Sequence, residues 1–238
     1  MEKIIAANWK MNNDFKDIPK FVKYVKKNAK GMTNLVVCVP SVMIKTFADT
    51  AKKVCDTGAE NCYYEKKGAF TGEISADMIK SAGASWVLVG HSERRAIFGE
   101  SNEMLNKKLK AALESGLKVI FCIGETLEEK SKYKSVLKKQ IIEGFEGITD
   151  FSNIVIAYEP VWAIGTGEVA TVKDIEKVHA YIKKLVSETY SADLPILYGG
   201  SVKPSNSKEI LALEDVGGVL IGGASLKAED YIAIAKTR

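Results

Sequence analysis

The chain has 238 residues, of which 46% are hydrophobic and 27% charged, a makeup that supports a sizeable buried core and excludes a disordered chain. Its 34 basic and 30 acidic residues leave a net charge of +4, and the lysines are scattered instead of gathered in an arginine-rich arm, so nucleic acid is not an expected partner. The first ten residues lack the apolar segment and cleavage site of a signal peptide, and no apolar run is long enough to span a bilayer, so the expectation is a cytoplasmic protein with no membrane partner.

Short apolar runs then recur along the chain. Ile4 to Ala7 is the first predicted strand, and Phe15, Ile18, Val22 and Val25 after it keep a helical spacing that predicts a core-facing stripe. Leu35 to Val39 reads as a second strand, Thr57 to Glu60 as a weaker one, and Trp86 to Val89, Lys118 to Ile123 and Ile154 to Ala157 as three more. Thr171 and Asp174 have capping-box spacing, which starts a helix whose apolar stripe is Ile175, Val178, Ile182 and Leu185. Ile196 to Tyr198 and Val219 to Ile221 complete the strands. Strands alternating with helices imply a parallel sheet, and eight such units without a Pro/Gly/Ser-rich linker favour an α/β fold in which residues 1–238 form a single (β/α)8 barrel domain. An open, doubly wound sheet is the alternative on pattern alone. Cys38, Cys55, Cys62 and Cys122 are too scattered for a zinc motif and are expected to be free thiols.

In a barrel of this kind chemistry sits in the loops after the strands, and polar groups concentrate there. Asn8 and Lys10 follow the first strand. Lys10 can neutralise an anionic substrate and charge developing on oxygen, although a solvated lysine is the plainer reading of that residue alone. His91 follows the fourth strand, ahead of Ser92-Glu93-Arg94-Arg95. This segment can begin a short helix whose dipole favours a neutral imidazole. Glu93 is expected to hold Lys10 or Asn8, with an ordinary pair to Arg95 as the other possibility. His179 falls within a predicted helix and reads as structural.

Glu159 ends the sixth strand, because Pro160 has no N–H with which to extend the ladder. Val161, Trp162, Ala163 and Ile164 then run into Gly165, Thr166, Gly167, Glu168, Val169 and Ala170, a bulky apolar stretch on permissive backbone that reads as a lid over the carboxylate. Two glycine clusters, Gly199-Gly200-Ser201 and Gly222-Gly223, fall where the last two loops of a barrel bind phosphate through backbone N–H groups.

Ala6 to Asn12, Gly68 to Glu73, Val89 to Arg95, Cys122 to Leu127, Ala157 to Gly167, Tyr198 to Val202 and Ile221 to Gly223 together resemble the triosephosphate isomerase family nearly end to end. The resemblance implies a TIM barrel and interconversion of dihydroxyacetone phosphate and glyceraldehyde 3-phosphate through an enediolate, in glycolysis and gluconeogenesis. It implies neither cofactor nor metal. It also implies that Glu159 is the base, His91 the electrophile, Lys10 the electrostatic stabiliser, Asn8 an orienting group and Glu93 a support. The triose phosphate would be held by Asn8, Lys10, Gly165, Ser201, Gly222 and Gly223, and the lid from Pro160 to Ala170 would clamp the base through Ile164 and Leu220. The Asn61 to Glu73 loop resembles the family's interdigitating dimer loop, which implies a homodimer with Asn61, Phe70 and Thr71 at the interface.

Three positions depart from the usual pattern: Glu60 where glutamine is common, Val39-Pro40 in place of Pro-Pro, and Glu168 where lysine is frequent. Other phosphate-binding barrels fit less well, since an aldolase favours a buried strand lysine and a metal epimerase needs clustered ligands that two distant histidines do not supply. A silent binding or surface-adhesion protein would not need a base beneath a lid.

Overall fold

The protein, described by a computed structural model at residues 2–164 and 170–238, closes into a barrel of eight parallel strands in sequence order. These are β1 (Ile4–Asn8), β2 (Leu35–Val39), β3 (Asp56–Ala59), β4 (Trp86–Val89), β5 (Lys118–Ile123), β6 (Ile154–Tyr158), β7 (Ile196–Tyr198) and β8 (Gly218–Ile221). Closure is made by β1 against β8, with Ala7 opposite Ile221, while β1 pairs on its other side with β2, Asn8 opposite Cys38. The helices of the connections are α1 (Asp17–Asn28), α2 (Ile44–Ala51), α3 (Ala76–Ser81), α4 (Ser92–Ala96), α5 (Asn102–Glu114), α6 (Tyr133–Gly144), α7 (Val172–Tyr190), α8 (Ser207–Leu211) and α9 (Ala228–Ala235). Every strand runs the same way, so all eight carboxyl ends open on one rim.

Alternation along the strands divides the apolar residues between two cores. Ile4, Ala6, Cys38, Leu88, Cys122 and Leu197 belong to the cluster inside the barrel. Their neighbours Ile5, Ala7, Val37, Val89, Phe121 and Ile196 join the larger cluster shared with the helices. Each strand is therefore buried on both faces, which is why the sequence shows continuous apolar runs instead of strict alternation. Burial of one such aliphatic side chain contributes roughly 1.5–3 kcal/mol. Gly58 leaves room for the Cys38 thiol, which a side chain at that position would strike. All four cysteines are free thiols.

The predicted stripe before β2 needs one correction. Ile18, Val22 and Val25 are buried on α1, together with Phe21. Phe15, however, is 52% exposed and precedes the helix, because the chain is still turning at Asp14, whose C=O accepts from Asp17 N–H. Phe21, within the helix, joins the core cluster. The capping box at α7 forms, with Thr171 accepting from Asp174 N–H and the Asp174 carboxylate accepting from Thr171 N–H.

Candidate active site

Asn8, the last residue of β1, is buried at the rim. Its Oδ1 accepts the backbone N–H of Lys10 at 3.0 Å. That local bond supports the left-handed backbone of Lys10, whose φ is 54°. Lys10 Nζ then lies 2.6 Å from Glu93 Oε1. Of the two contacts expected for Glu93, the one to Lys10 is present. Arg95 turns elsewhere, donating to the carbonyls of Gly90 and Cys122 and to Asn102 Oδ1.

His91 is the N-cap of α4, and its Nδ1 accepts from Glu93 N–H at 3.3 Å. An accepting Nδ1 places the ring proton of the neutral imidazole on Nε2. Nε2 stands 2.9 Å from Glu159 Oε1. Burial lowers the pKa of His91, but the charge of Glu159 and its hydrogen bond outweigh that and the net direction is upward. The neutral ring expected from the helix dipole is thus opposed here by the adjacent carboxylate. His179 is buried, with Nδ1 3.2 Å from the carbonyl of Asp215. Burial pushes its pKa down to about 4, against a smaller upward pull from that carbonyl.

Glu159 is 1% exposed. Its N–H donates to the Ile123 carbonyl at 2.7 Å, and its Oε2 accepts from Ser92 N–H at 2.9 Å. Two glycines clear space for it. A Cβ on Gly199 would come within 2.9 Å of Glu159 Cγ, and one on Gly124 would fall on the Glu159 carbonyl.

The chain beyond the carboxylate is anchored. Pro160 leads into a tight turn, Val161–Ala163, in which Trp162 and Ala163 are buried. Trp162 Nε1 and Tyr158 Oη both donate to Glu125 Oε1, each at 2.9 Å. The Lys130 ammonium lies 3.4 Å from the centre of the indole. Trp162 therefore packs as the root of the predicted lid, while Ile164 reaches the cavity in front of Glu159. Gly165, Thr166, Gly167, Glu168 and Val169 lie outside the described residues. Ala170 is buried directly before the α7 cap.

A cavity of about 700 Å³ gathers Asn8, Lys10, His91, Glu159, Ile164, Ser201, Leu220, Gly222 and Gly223 from both ends of the sequence. Glu93 lies outside it and lines a neighbouring cavity of about 460 Å³ with Asn61, which Asn8, Lys10 and His91 also line. Asn61 Oδ1 accepts from Lys108 Nζ at 2.8 Å. Phe70 is exposed but leans on Tyr63 at 5.0 Å between ring centres, and Thr71 is exposed beside it. The sequence did not single out Ser92 as a carboxylate donor, nor Glu125, nor Tyr198, whose hydroxyl is buried without a partner among the described residues. Glu125 carried a signal, since it lies just past β5 within one of the quoted motifs. A backbone donor such as Ser92 N–H carries none.

A closed barrel with a buried carboxylate, an imidazole and an ammonium facing one cavity at its carboxyl rim defines a (β/α)8-barrel enzyme. Residues 3–238 match the family model described as "Triosephosphate isomerase". The chain is 45% identical over 244 residues to the triosephosphate isomerase of Alkaliphilus oremlandii, with 97% of each chain covered. It is 45% identical over 245 residues to that of Chlorobaculum tepidum, covering 98% of this chain and 99% of the relative. The crystal structure of triosephosphate isomerase from Bartonella henselae superposes with a TM-score of 0.92 at 38% identity, covering 100% of this chain and 99% of that one. The chain belongs to the triosephosphate isomerase family.

Proposed function

We propose that the protein interconverts dihydroxyacetone phosphate and glyceraldehyde 3-phosphate without a cofactor, by moving one proton between adjacent carbons through an enediolate. The observation that carries this reading is that Glu159, His91 and Lys10 face one cavity, with carboxylate and imidazole 2.9 Å apart. Glu159 leaves Ser92 N–H and takes the proton from carbon. His91 donates from Nε2 to the carbonyl and hydroxyl oxygens in turn, and Lys10 stabilises the negative charge that develops on oxygen. Asn8 orients Lys10, and Glu93 holds its ammonium.

The phosphate sits against the backbone of Ser201, Gly222 and Gly223, with Gly165 as a further donor. Glycine at these loops allows the close approach, since no Cβ intervenes. The Pro160 to Ala170 segment acts as a lid, and Ile164 with Leu220 clamps Glu159 in a dry site. Excluding water strengthens the base and keeps the enediolate from losing phosphate before reprotonation.

The protein acts as a cytoplasmic homodimer in glycolysis and gluconeogenesis. Asn61, Phe70 and Thr71 belong to the loop that meets the partner, and a partner would cover Met11, Phe98 and Phe70, which are 96%, 64% and 40% exposed.

The deciding experiment is turnover of glyceraldehyde 3-phosphate in chelator-treated buffer, coupled to reduction of the dihydroxyacetone phosphate formed. Wild-type activity and a loss of at least about 10²-fold in kcat for Glu159→Gln are expected. An inactive wild type overturns the assignment. Unchanged turnover in Ile164→Ala and Leu220→Ala overturns the clamp, and a fully active monomer in dilute sedimentation overturns the dimer.

A further inference from the structure

A groove of about 320 Å³ opens between α1 and the start of α9. Lys20, Lys23 and Lys27 enter it from α1, and their spacing places them on one helix face. Lys227, immediately before α9, enters from the opposite wall. The acids in the same groove are Asp17 and Glu229, and the Asp17 carboxylate already accepts Asp14 N–H. None of these lysines has an ion-pair partner among the described residues.

The stability of the chain does not account for this arrangement. Lys20 lies in the first turn of α1 and Lys227 at the start of α9, where the positive ends of the helix dipoles disfavour a cation. Lys23 and Lys27 form a like-charge pair one turn apart, which is also unfavourable. No side chain caps α9. An anion seated in the groove would offset each of these costs.

Between the lysines the wall is apolar. Phe21 is buried, and Tyr24 and Leu226 are partly buried against the core that the strands share with the helices. A charged rim over an aromatic floor suits a ligand with a flat ring at one end and several negative charges at the other. Inorganic phosphate would use the lysines alone. The groove shares no residue with the Asn61 to Glu73 loop, nor with Met11 or Phe98, so the proposed dimer leaves those walls open.

We propose that this groove binds a nucleoside diphosphate, its ring against Tyr24 and its phosphates among Lys20, Lys23, Lys27 and Lys227.

The test is calorimetric titration of the intact protein with metal-free adenosine diphosphate, after the substrate cavity has been filled with 2-phosphoglycolate. A Kd below about 1 mM is expected, and absence of binding at that concentration overturns the proposal. Replacing Lys23 and Lys27 together by Ala should weaken binding about fivefold or more. Replacing Lys26 and Lys30, which lie outside the groove, removes the same charge and should change it less than about twofold. Equal weakening by both pairs would reveal a general attraction to a basic surface and overturns the site. Tyr24→Ala should weaken adenosine diphosphate but not pyrophosphate, and pyrophosphate binding as tightly as the nucleotide overturns the role of the ring.

Aromatic NMR of the wild type needs no variant. Adenosine diphosphate should shift the Tyr24 and Phe21 ring signals, and unmoved rings overturn the proposal even if a variant fails to fold. These readouts require no isomerase activity, so the groove and the assigned reaction fail separately.

Discussion

The backbone N–H of Ser92 donates to Glu159 Oε2 at 2.9 Å, so the start of α4 holds the carboxylate from one side while the His91 ring meets its other oxygen. The two side chains proposed to handle protons are thereby coupled before substrate arrives, and the coupling has a measurable consequence. Replacing Glu159 by Gln removes the anion that lifts the His91 pKa and leaves burial, which lowers it, without its main opponent. The His91 pKa should fall in Glu159→Gln, followed by imidazole NMR. His179 titrates near 4, which separates the two signals. An unchanged His91 titration would contradict the coupling.

Gly199 sets the position of the base by what it lacks. A methyl group there meets Glu159 Cγ at 2.9 Å and the Tyr158 carbonyl at 3.2 Å. Relief requires a shift of the base or of β7, and overpacking of this kind costs about 1–3 kcal/mol. Gly199→Ala is expected to lower kcat/KM by about tenfold or more, since sub-ångström misplacement of a catalytic group is costly. Wild-type kinetics in a folded Gly199→Ala variant would show that the close approach is not needed.

Lys130 is exposed, yet its ammonium lies 3.4 Å from the Trp162 ring centre. The indole is fixed from the other direction by Glu125. A cation over an indole at an exposed site contributes about 0.5–1 kcal/mol. Lys130→Met should loosen the root of the proposed lid and shift kcat by about two- to fivefold, whereas Lys130→Arg should preserve it. Fluorotryptophan NMR, with the Trp162 signal assigned through Trp162→Phe, should show the Trp162 resonance alone moving or broadening. A change spread equally over Trp9, Trp86 and Trp162 would point to a general loss of structure.

Glu60 should leave a mark on stability. Burial pushes its carboxyl in the folded protein up to about 8, from the ordinary value of 4.5. Between those values the unfolded chain releases a proton that the folded chain keeps, so rising pH favours unfolding. The stability associated with the bound proton is complete below the unfolded pKa and is lost as pH rises through the folded one, with a slope of at most about 1.4 kcal/mol per pH unit. Glu60→Gln has no such slope. Its Tm advantage over the wild type should grow from pH 4.5 to 8 and then level off. A constant difference in Tm across that range would mean that Glu60 is ionised in the folded protein.

Much of the architecture was legible because a strand buried on both faces writes its burial into consecutive residues. Leu35 to Val39, Trp86 to Val89 and Lys118 to Ile123 were delimited without error. Periodicity failed at Phe15, where an apolar residue kept the helical spacing but preceded the first turn of α1. The position of the residues proposed for catalysis followed from the same logic, since a polar residue just past an apolar run lies on the rim once the strands are parallel. The contacts among those residues were less legible. Glu93 had two or three possible partners in sequence and has Lys10 in space.

The sequence by itself determined the order of the strands and, to within a residue at either end, their extent, with β3 running Asp56–Ala59 where Thr57 to Glu60 was expected; it also determined the cap of α7 and the polar positions at the rim, because local spacing and backbone chemistry govern each of them. Tertiary structure alone decided which groups face one another. Lys10, His91 and Glu159 are distant along the chain, and barrel closure through β1 and β8 brings the loop of Gly222 and Gly223 beside Lys10 in the same cavity. It also placed Glu60 in a cavity that Lys10 and Glu93 line as a pair. Burial and the distances between charges exist only once the barrel is closed, and these quantities set the ionisation of Glu60 and His91.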